Sequence, residues 1–344
     1  MDKQQLVELH QSNLNKFNRL IELEIDELSE TLIELKIDNM IKRTLYFGNP
    51  AYLSMRNAQL VIHLPDGNGM EDKAGNNTIP IEDIGVVVLD HKQITITHGL
   101  MEALLANNTA MITCDSSRMP VGLMLPLSGN TTQSERFQAQ IDASLPLQKQ
   151  LWQQTIQAKI ENQAYVLNTT HKVVVKNMLA WVDIVKSGDS DNLEARAAAY
   201  YWANMFPYIP EFRRGREGVP PNNLLNYGYA ILRAIVARSL VASGLLPTLG
   251  IHHHNRYNAY CLADDIMEPY RPFVDKLVIE IMESGEDITE LSKPIKARLL
   301  NIPVLDLQIN NQRSPLMIAV GITTASLAKC YLGESRKITY PSFL

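Results

Sequence analysis

The stretch Pro126-Leu127-Ser128-Gly129-Asn130-Thr131-Thr132 decides how this chain is read. It has the proline, glycine and polar content of a connection rather than an element, and the hydrophobic pattern changes across it. Before it lie short β-prone runs: Thr44–Phe47, Tyr52–Met55, Ala58–Leu64, Asn77–Ile81, Val86–Leu89, Ile94–Thr97, Ala110–Cys114 and Val121–Met124. Gly48-Asn49-Pro50 and Pro65-Asp66-Gly67-Asn68-Gly69 punctuate them, and Arg56-Asn57 reads as a hairpin turn. Within this half only Gly99–Asn107 has the spacing of a helix. After the stretch, helical periodicity dominates over 134–168, 171–187, 191–205, 222–244 and 262–283. The expected fold class is therefore α+β and multidomain. A small β-rich domain spans 40–125, a linker 126–134, and a larger all-α domain 135–344.

Residues 1–39 stand apart. Ile21, Ile25, Leu28, Leu32 and Leu35 recur at alternating spacings of four and three, which lines one face of an amphipathic helix. This expected helical extension carries nine acids and four bases, and so accounts for the whole net charge of −5. The remaining chain is neutral, which leaves a nucleic-acid partner open, because clustering of bases on one face matters more than the total.

Composition narrows the class. Of the 344 residues, 46% are hydrophobic and 20% charged, as in a soluble globular protein. No run of 18 or more apolar residues is present, so no membrane-spanning helix is expected. The opening MDKQQLVELHQSN lacks the apolar core of a secretion signal. Cys114, Cys261 and Cys330 are odd in number and widely spaced, which fits neither a disulfide framework nor a CxxC metal site. The expected location is the cytoplasm.

Three places put polar groups in apolar company. In Asn192–Trp202, Glu194 falls in the first turn of a helix that Asp191 or Asn192 can cap, with alanines at 195 and 197–199 allowing close backbone approach. Taken alone, it suits a carboxylate favoured by the helix dipole. His252-His253-His254 follows a Gly- and Pro-bearing loop; adjacent side chains diverge, so at most one or two of them can meet one metal. Asp265 and Glu268 are three residues apart and share a helix face, while Asp264 points elsewhere. Like-charged carboxylates on a partly buried face repel unless a cation lies between them. Carboxylates with one imidazole suit Mg²⁺ or Mn²⁺, whereas zinc would want softer ligands. Such an ion assists phosphodiester attack.

At these residues the chain resembles the CRISPR-associated integrase family, the "protein 1" of CRISPR adaptation, and most of all its type II members. The likeness rests on IKRTLYFGNPAYLSMRNAQLVI at 41–62, NLEARAAAYYW at 192–202 and NLLNYGYAILRA at 223–234. It continues through GLLPTLGIHHHNRYNAYCLADDIMEPYRPFVD at 244–275 and KITYP at 337–341. It runs from about residue 40 to the C-terminus and leaves 1–39 without a role. The resemblance implies a catalytic divalent metal, Mg²⁺ or Mn²⁺, held by Glu194, His253 and Glu268. His252 and then His254 rank behind His253 by register, and Asp265 matches a supporting acid.

Around this set, Asn226 and Tyr227 of the LNYGYA motif are candidates to orient ligands or DNA ends; Tyr227 and Tyr229 also suit simple packing. Arg213, Arg214 and Arg216 form a Gly-flanked basic loop suited to phosphate contact. Arg256 and Arg271 flank the metal motifs and suit either phosphate or an ion pair. The implied function is spacer integration, in which a prespacer 3′-hydroxyl attacks a repeat-boundary phosphodiester of the CRISPR array, with DNA endonuclease activity from the same site. The implied partners are double-stranded DNA, a second copy of the chain as a homodimer, and a dimer of CRISPR-associated protein 2 in a heterohexamer. Type II relatives also engage the large effector nuclease. A metal-dependent DNase that does not integrate, and a non-catalytic DNA-binding scaffold, are the rival readings.

Overall fold

Ile84-Gly85-Val86-Val87-Val88-Leu89 forms strand β5, buried on both faces until Leu89, and the rest of the fold can be placed from it. The computed structural model describes residues 42–64, 78–215 and 217–344, of which Arg43–Leu344 form one compact unit. The expected helix at 1–39 and the Arg216 side chain lie outside the described residues. Strand β5 lies between β1 (Arg43–Phe47) and β7 (Ala110–Cys114), parallel to both, and β8 (Pro120–Met124) closes the sheet antiparallel to β7. A second sheet has the order β4-β3-β2-β6, from Thr78–Pro80, Gln59–His63, Ala51–Arg56 and Ile94–Ile96. Asn57 and Ala58, both with positive φ, turn the hairpin between β2 and β3.

Successive side chains of a strand point to opposite faces, and here the faces enter different cores. Val87 and Met111 join Leu53, Leu60 and Leu100 between the two sheets and helix α1 (His98–Ala106). Val86, Val88, Ala110 and Ile112 join the helical core. Both faces are therefore dry, which explains why β5 reads as an unbroken apolar run.

The helical part contains α2 (Gln133–Ile141), α3 (Leu145–His171), α4 (Lys176–Ile184), α5 (Leu193–Met205), α6 (Asn222–Ala242), α7 (Cys261–Met267), α8 (Arg271–Glu283), α9 (Lys293–Leu299) and α10 (Leu316–Tyr331). The continuous helical stretch expected from 134 to 168 is broken between α2 and α3, where Ser144 caps the Leu147 amide and Pro146 starts the new helix. Helix α6 is long and apolar enough to cross a membrane, but most of it is buried inside the fold. The expected linker is tied down by Asn130 Nδ2, which donates to the Ala242 carbonyl at the end of α6, and just beyond the linker Arg136 of α2 donates to the Ser243 carbonyl.

One element corrects the all-α expectation. Asp306–Ile309 (β9) and Gln312–Pro315 (β10) form an antiparallel hairpin. Asn310 and Asn311 both have positive φ, as a two-residue hairpin turn requires. The sheet half and the helical half are latched by a buried ion pair, Lys296 Nζ to Asp90 Oδ2 at 2.6 Å, with Tyr46 donating to the same oxygen at 2.5 Å.

Candidate active site

Helix α3 supplies the floor of the site. Trp152, Thr155, Lys159, Asn162 and Val166 recur every three or four residues and are buried, so they share one face. From it Lys159 reaches two carboxylates from distant parts of the chain. Its Nζ lies 2.7 Å from Glu194 Oε1 and 2.7 Å from Glu268 Oε2. Glu268 also has the Arg271 guanidinium at 3.0 Å. Burial pushes Glu268 up, but Arg271 and then Lys159 outweigh it and hold the carboxyl below its ordinary range. Burial likewise depresses Lys159, and Glu268 and Glu194 more than restore it, so its charged form is favoured.

Each carboxylate is positioned by its own local device. Glu194 sits in the first turn of α5, whose exposed amides are taken by Asp189: the Leu193 and Glu194 N–H groups donate to its two oxygens at 2.9 Å each. Neither Asp191 nor Asn192 serves as the cap. Asn192 has a positive φ and makes no side-chain cap bond, and Asp191 pairs with Lys186 at 2.8 Å. Glu268 opens a short 3-10 turn between α7 and α8. Asn162 braces that turn by donating to the Pro269 carbonyl at 2.8 Å, and the tail by donating to that of Pro341 at 3.1 Å.

The histidine loop is organised by Asp265, whose side chain is fully buried. Its carboxylate accepts the His252 amide at 2.9 Å and lies 2.5 Å from His253 Nδ1. This contact fixes the ring and leaves Nε2 for another ligand. The hydrogen bond to Asp265 raises His253, against the effect of burial. His252 instead stacks flat on Trp152, with centroids 4.2 Å apart, and burial lowers it. His254 is exposed. Gly250 is required for this packing, since a Cβ there would stand 2.3 Å from the His253 carbonyl oxygen and 2.8 Å from Asp265 Oδ2.

The other candidates are dispersed. Arg214 turns inward, donating to Asn222 Oδ1 at 2.9 Å and Asn226 Oδ1 at 2.8 Å and lying over the Tyr229 ring. Arg213 is exposed. Arg256 is exposed and stacks on Tyr257, to whose hydroxyl it donates. Tyr227 is fully buried beneath the Lys296 ammonium, beside the Asp90 latch. The contacts that lead to Glu268 run through Tyr229 instead. Its ring lies under Arg271 and its hydroxyl donates to Asp275 at 2.5 Å, as does that of Tyr201 at 2.9 Å. Burial lifts Asp275 to about 6, against the pull of both hydroxyls and of Arg214 and Arg271.

Sequence reasoning missed Lys159, Asp189 and this Asp275 group. The helical spacing of Trp152, Thr155 and Lys159 was the available signal for the first, and Ser187-Gly188-Asp189 ahead of Leu193 for the second.

The donor chemistry fits a hard divalent cation: Glu194 and Glu268 converge on one positively charged nitrogen, for which a metal ion is a chemical substitute, and His253 offers a ring nitrogen. Among the described residues, no three His, Cys, Asp or Glu side chains are grouped closely enough to hold a metal as they stand; Lys159 stands between the two glutamates.

Comparison with known proteins gives a consistent picture. The profile of the CRISPR associated protein Cas1 family matches residues 45–291. A CRISPR-associated endonuclease Cas1 from Neisseria meningitidis serogroup C is 36% identical over 282 residues, covering 82% of this chain and 89% of the relative. A CRISPR-associated endonuclease Cas1 from Pyrobaculum aerophilum is 27% identical over 271 residues, covering 76% and 92%. Among solved structures, a casposase bound to integration product shares the fold at a TM-score of 0.68 and 20% identity, over 87% of this chain and 92% of that one. A CAS1 protein from Thermotoga maritima does so at 0.65 and 15%, over 85% and 98%.

Proposed function

This chain belongs to the CRISPR associated protein Cas1 family, and from that premise we propose that it is a DNA endonuclease that works as a CRISPR adaptation integrase. A 3′-hydroxyl of a short prespacer duplex attacks a phosphodiester at the repeat boundary of the array. One P–O bond forms as another breaks, so no nucleotide cofactor is needed. Attack by water at the same site gives nuclease activity.

The observation that carries this reading is the convergence of Glu194, from the first turn of α5, and Glu268, from the 3-10 turn between α7 and α8, on a single cationic nitrogen at 2.7 Å. Glu194, Glu268 and His253 would hold Mg²⁺ or Mn²⁺, an ion that neutralises phosphodiester charge and makes a hydroxyl a better nucleophile. The chain's own residues do the positioning. Asp265 keeps the His253 ring in one orientation and tautomer, Asp189 anchors the turn carrying Glu194, and Arg271 balances buried charge at Glu268. Orientation and preset charge are the main sources of rate in phosphoryl transfer.

The proposed partners are prespacer and repeat DNA, a second copy of this chain, a CRISPR-associated protein 2 dimer and the type II effector nuclease, with the cytoplasm as the setting. A Cas6-RT-Cas1–Cas2 complex among the solved structures of this fold supports the protein 2 assignment.

The test is a strand-transfer assay with labelled prespacer, an array plasmid, Mg²⁺ or Mn²⁺ and protein 2, run beside Glu194→Ala. Metal-dependent joined product that disappears in the variant is expected. Cleaved DNA without joined product would replace this reading with that of a nuclease alone.

A further inference from the structure

Lys159 is a buried lysine that the proposed function does not explain. Its side chain is 9% exposed, and removing an ammonium from water is expensive unless strong partners repay the cost. Its partners are the two carboxylates that the proposed function assigns to the metal. Among the described residues it is the one cation paired with Glu194, whereas Glu268 also has Arg271. Without a cation between them, Glu194 and Glu268 would repel, and each would be stabilised by taking up a proton or swinging apart.

We propose that Lys159 is the resident counter-cation of this site: its ammonium holds Glu194 and Glu268 together in the metal-free protein, and a divalent ion enters by displacing it. The inference rests on the reading of Glu194 and Glu268 as metal ligands. The carboxylate oxygens that face Nζ are those a metal would take, and an ammonium and a divalent cation cannot share them at contact distance without strong repulsion. A long, flexible side chain suits the task, since four methylenes let its head withdraw while the stem stays packed on α3. The exchange keeps the ligands preorganised at the expense of metal affinity. Lys159 is thus a positioning residue, and its effect on metal binding has the opposite sign to that of an ordinary supporting group.

The experiment is calorimetric titration of the full chain and of Lys159→Met with MnCl₂, alongside thermal unfolding with and without Mn²⁺. The variant should bind Mn²⁺ at least about tenfold more tightly than wild type. It should unfold at a lower temperature without metal and gain more from metal. A folded variant with equal or weaker Mn²⁺ affinity overturns the displacement.

If Lys159→Met does not fold, amine acylation of the wild-type chain, read by mass spectrometry, decides. Lys159 should be protected without Mn²⁺ and labelled at saturating Mn²⁺; equal protection in both overturns the inference. Glu194→Gln serves as the control for the reading beneath it. If wild type binds no Mn²⁺, or Glu194→Gln binds it undiminished, the metal assignment itself falls and takes this inference with it.

Discussion

Replacing Asp189 by alanine removes both acceptors at the start of the helix that carries Glu194. The Leu193 and Glu194 amides donate to this one carboxylate at 2.9 Å, and Leu193 is buried, so water cannot fully replace the lost partner. Loss of an N-cap costs about 1 kcal/mol, and loss of a negative charge from a helix N-terminus about 0.3–1 kcal/mol more. Asp189 also has a positive φ of 51°, which alanine tolerates less well than Asp or Asn. The expected total is about 2–3 kcal/mol, measured as a shift of the urea midpoint at constant slope. Asp189→Asn keeps one oxygen and the backbone preference while losing the charge, so it should cost about half as much. Because the frayed turn holds Glu194, DNA cleavage and joining by Asp189→Ala should fall at least about tenfold at saturating metal. An Asp189→Ala protein within about 0.5 kcal/mol of wild type would refute the cap. Full activity in a measurably destabilised variant would separate the cap from the site.

Three further outcomes are expected. Lys296→Met leaves Asp90 buried and uncompensated and should cost about 3–5 kcal/mol in denaturant unfolding; adding Asp90→Asn should recover most of it, and a strictly additive double mutant would contradict the latch. Asp275, lifted to about 6 by burial, binds its proton more tightly in the folded chain, so its destabilising effect is absent below the unfolded value near 4 and complete above pH 6. Wild type should therefore lose about 1.5 kcal/mol relative to Asp275→Asn between pH 5 and 7.5, and a flat difference would mean that Arg214 and Arg271 keep the carboxylate charged throughout. Asp265→Asn should lower strand transfer or cleavage by about 10–100-fold, with far-ultraviolet dichroism unchanged; near-wild-type rates would remove Asp265 from the positioning of His253.

What could be read in advance followed the range of the interaction responsible. Strand β5, expected over Val86–Leu89 and observed over Ile84–Leu89, and the β2–β3 turn, expected at Arg56-Asn57 and observed at Asn57-Ala58, are specified by neighbours along the chain, and apolar runs and turn chemistry find them to within two residues. Asn310-Asn311 carried the same local signal, but a helical expectation over the surrounding residues concealed the hairpin. Glu194 and Glu268 were legible as a pair only through motifs, because residue spacing does not say that two acids 74 positions apart share a cation. Lys159 was least legible of all. A lysine within a long helix reads as solvated, and only the packing of α5 and the 3-10 turn onto α3 turns it inward. Asp189 was overlooked because a left-handed Asn192 shifts the cap from the residue next to the helix to one further back.

Strand β5 gives neighbouring valines to different cores, and this has a consequence for how the protein can come apart. Cutting the chain near residue 130 would leave Val86, Val88, Ala110 and Ile112 as a bare apolar face on one fragment and an uncovered helical surface on the other. Neither fragment would have a finished interior. The sheet half and the helical half should therefore melt in a single cooperative transition, and a nick in the Pro126–Thr132 connection should yield two pieces that stay associated until the whole structure is lost.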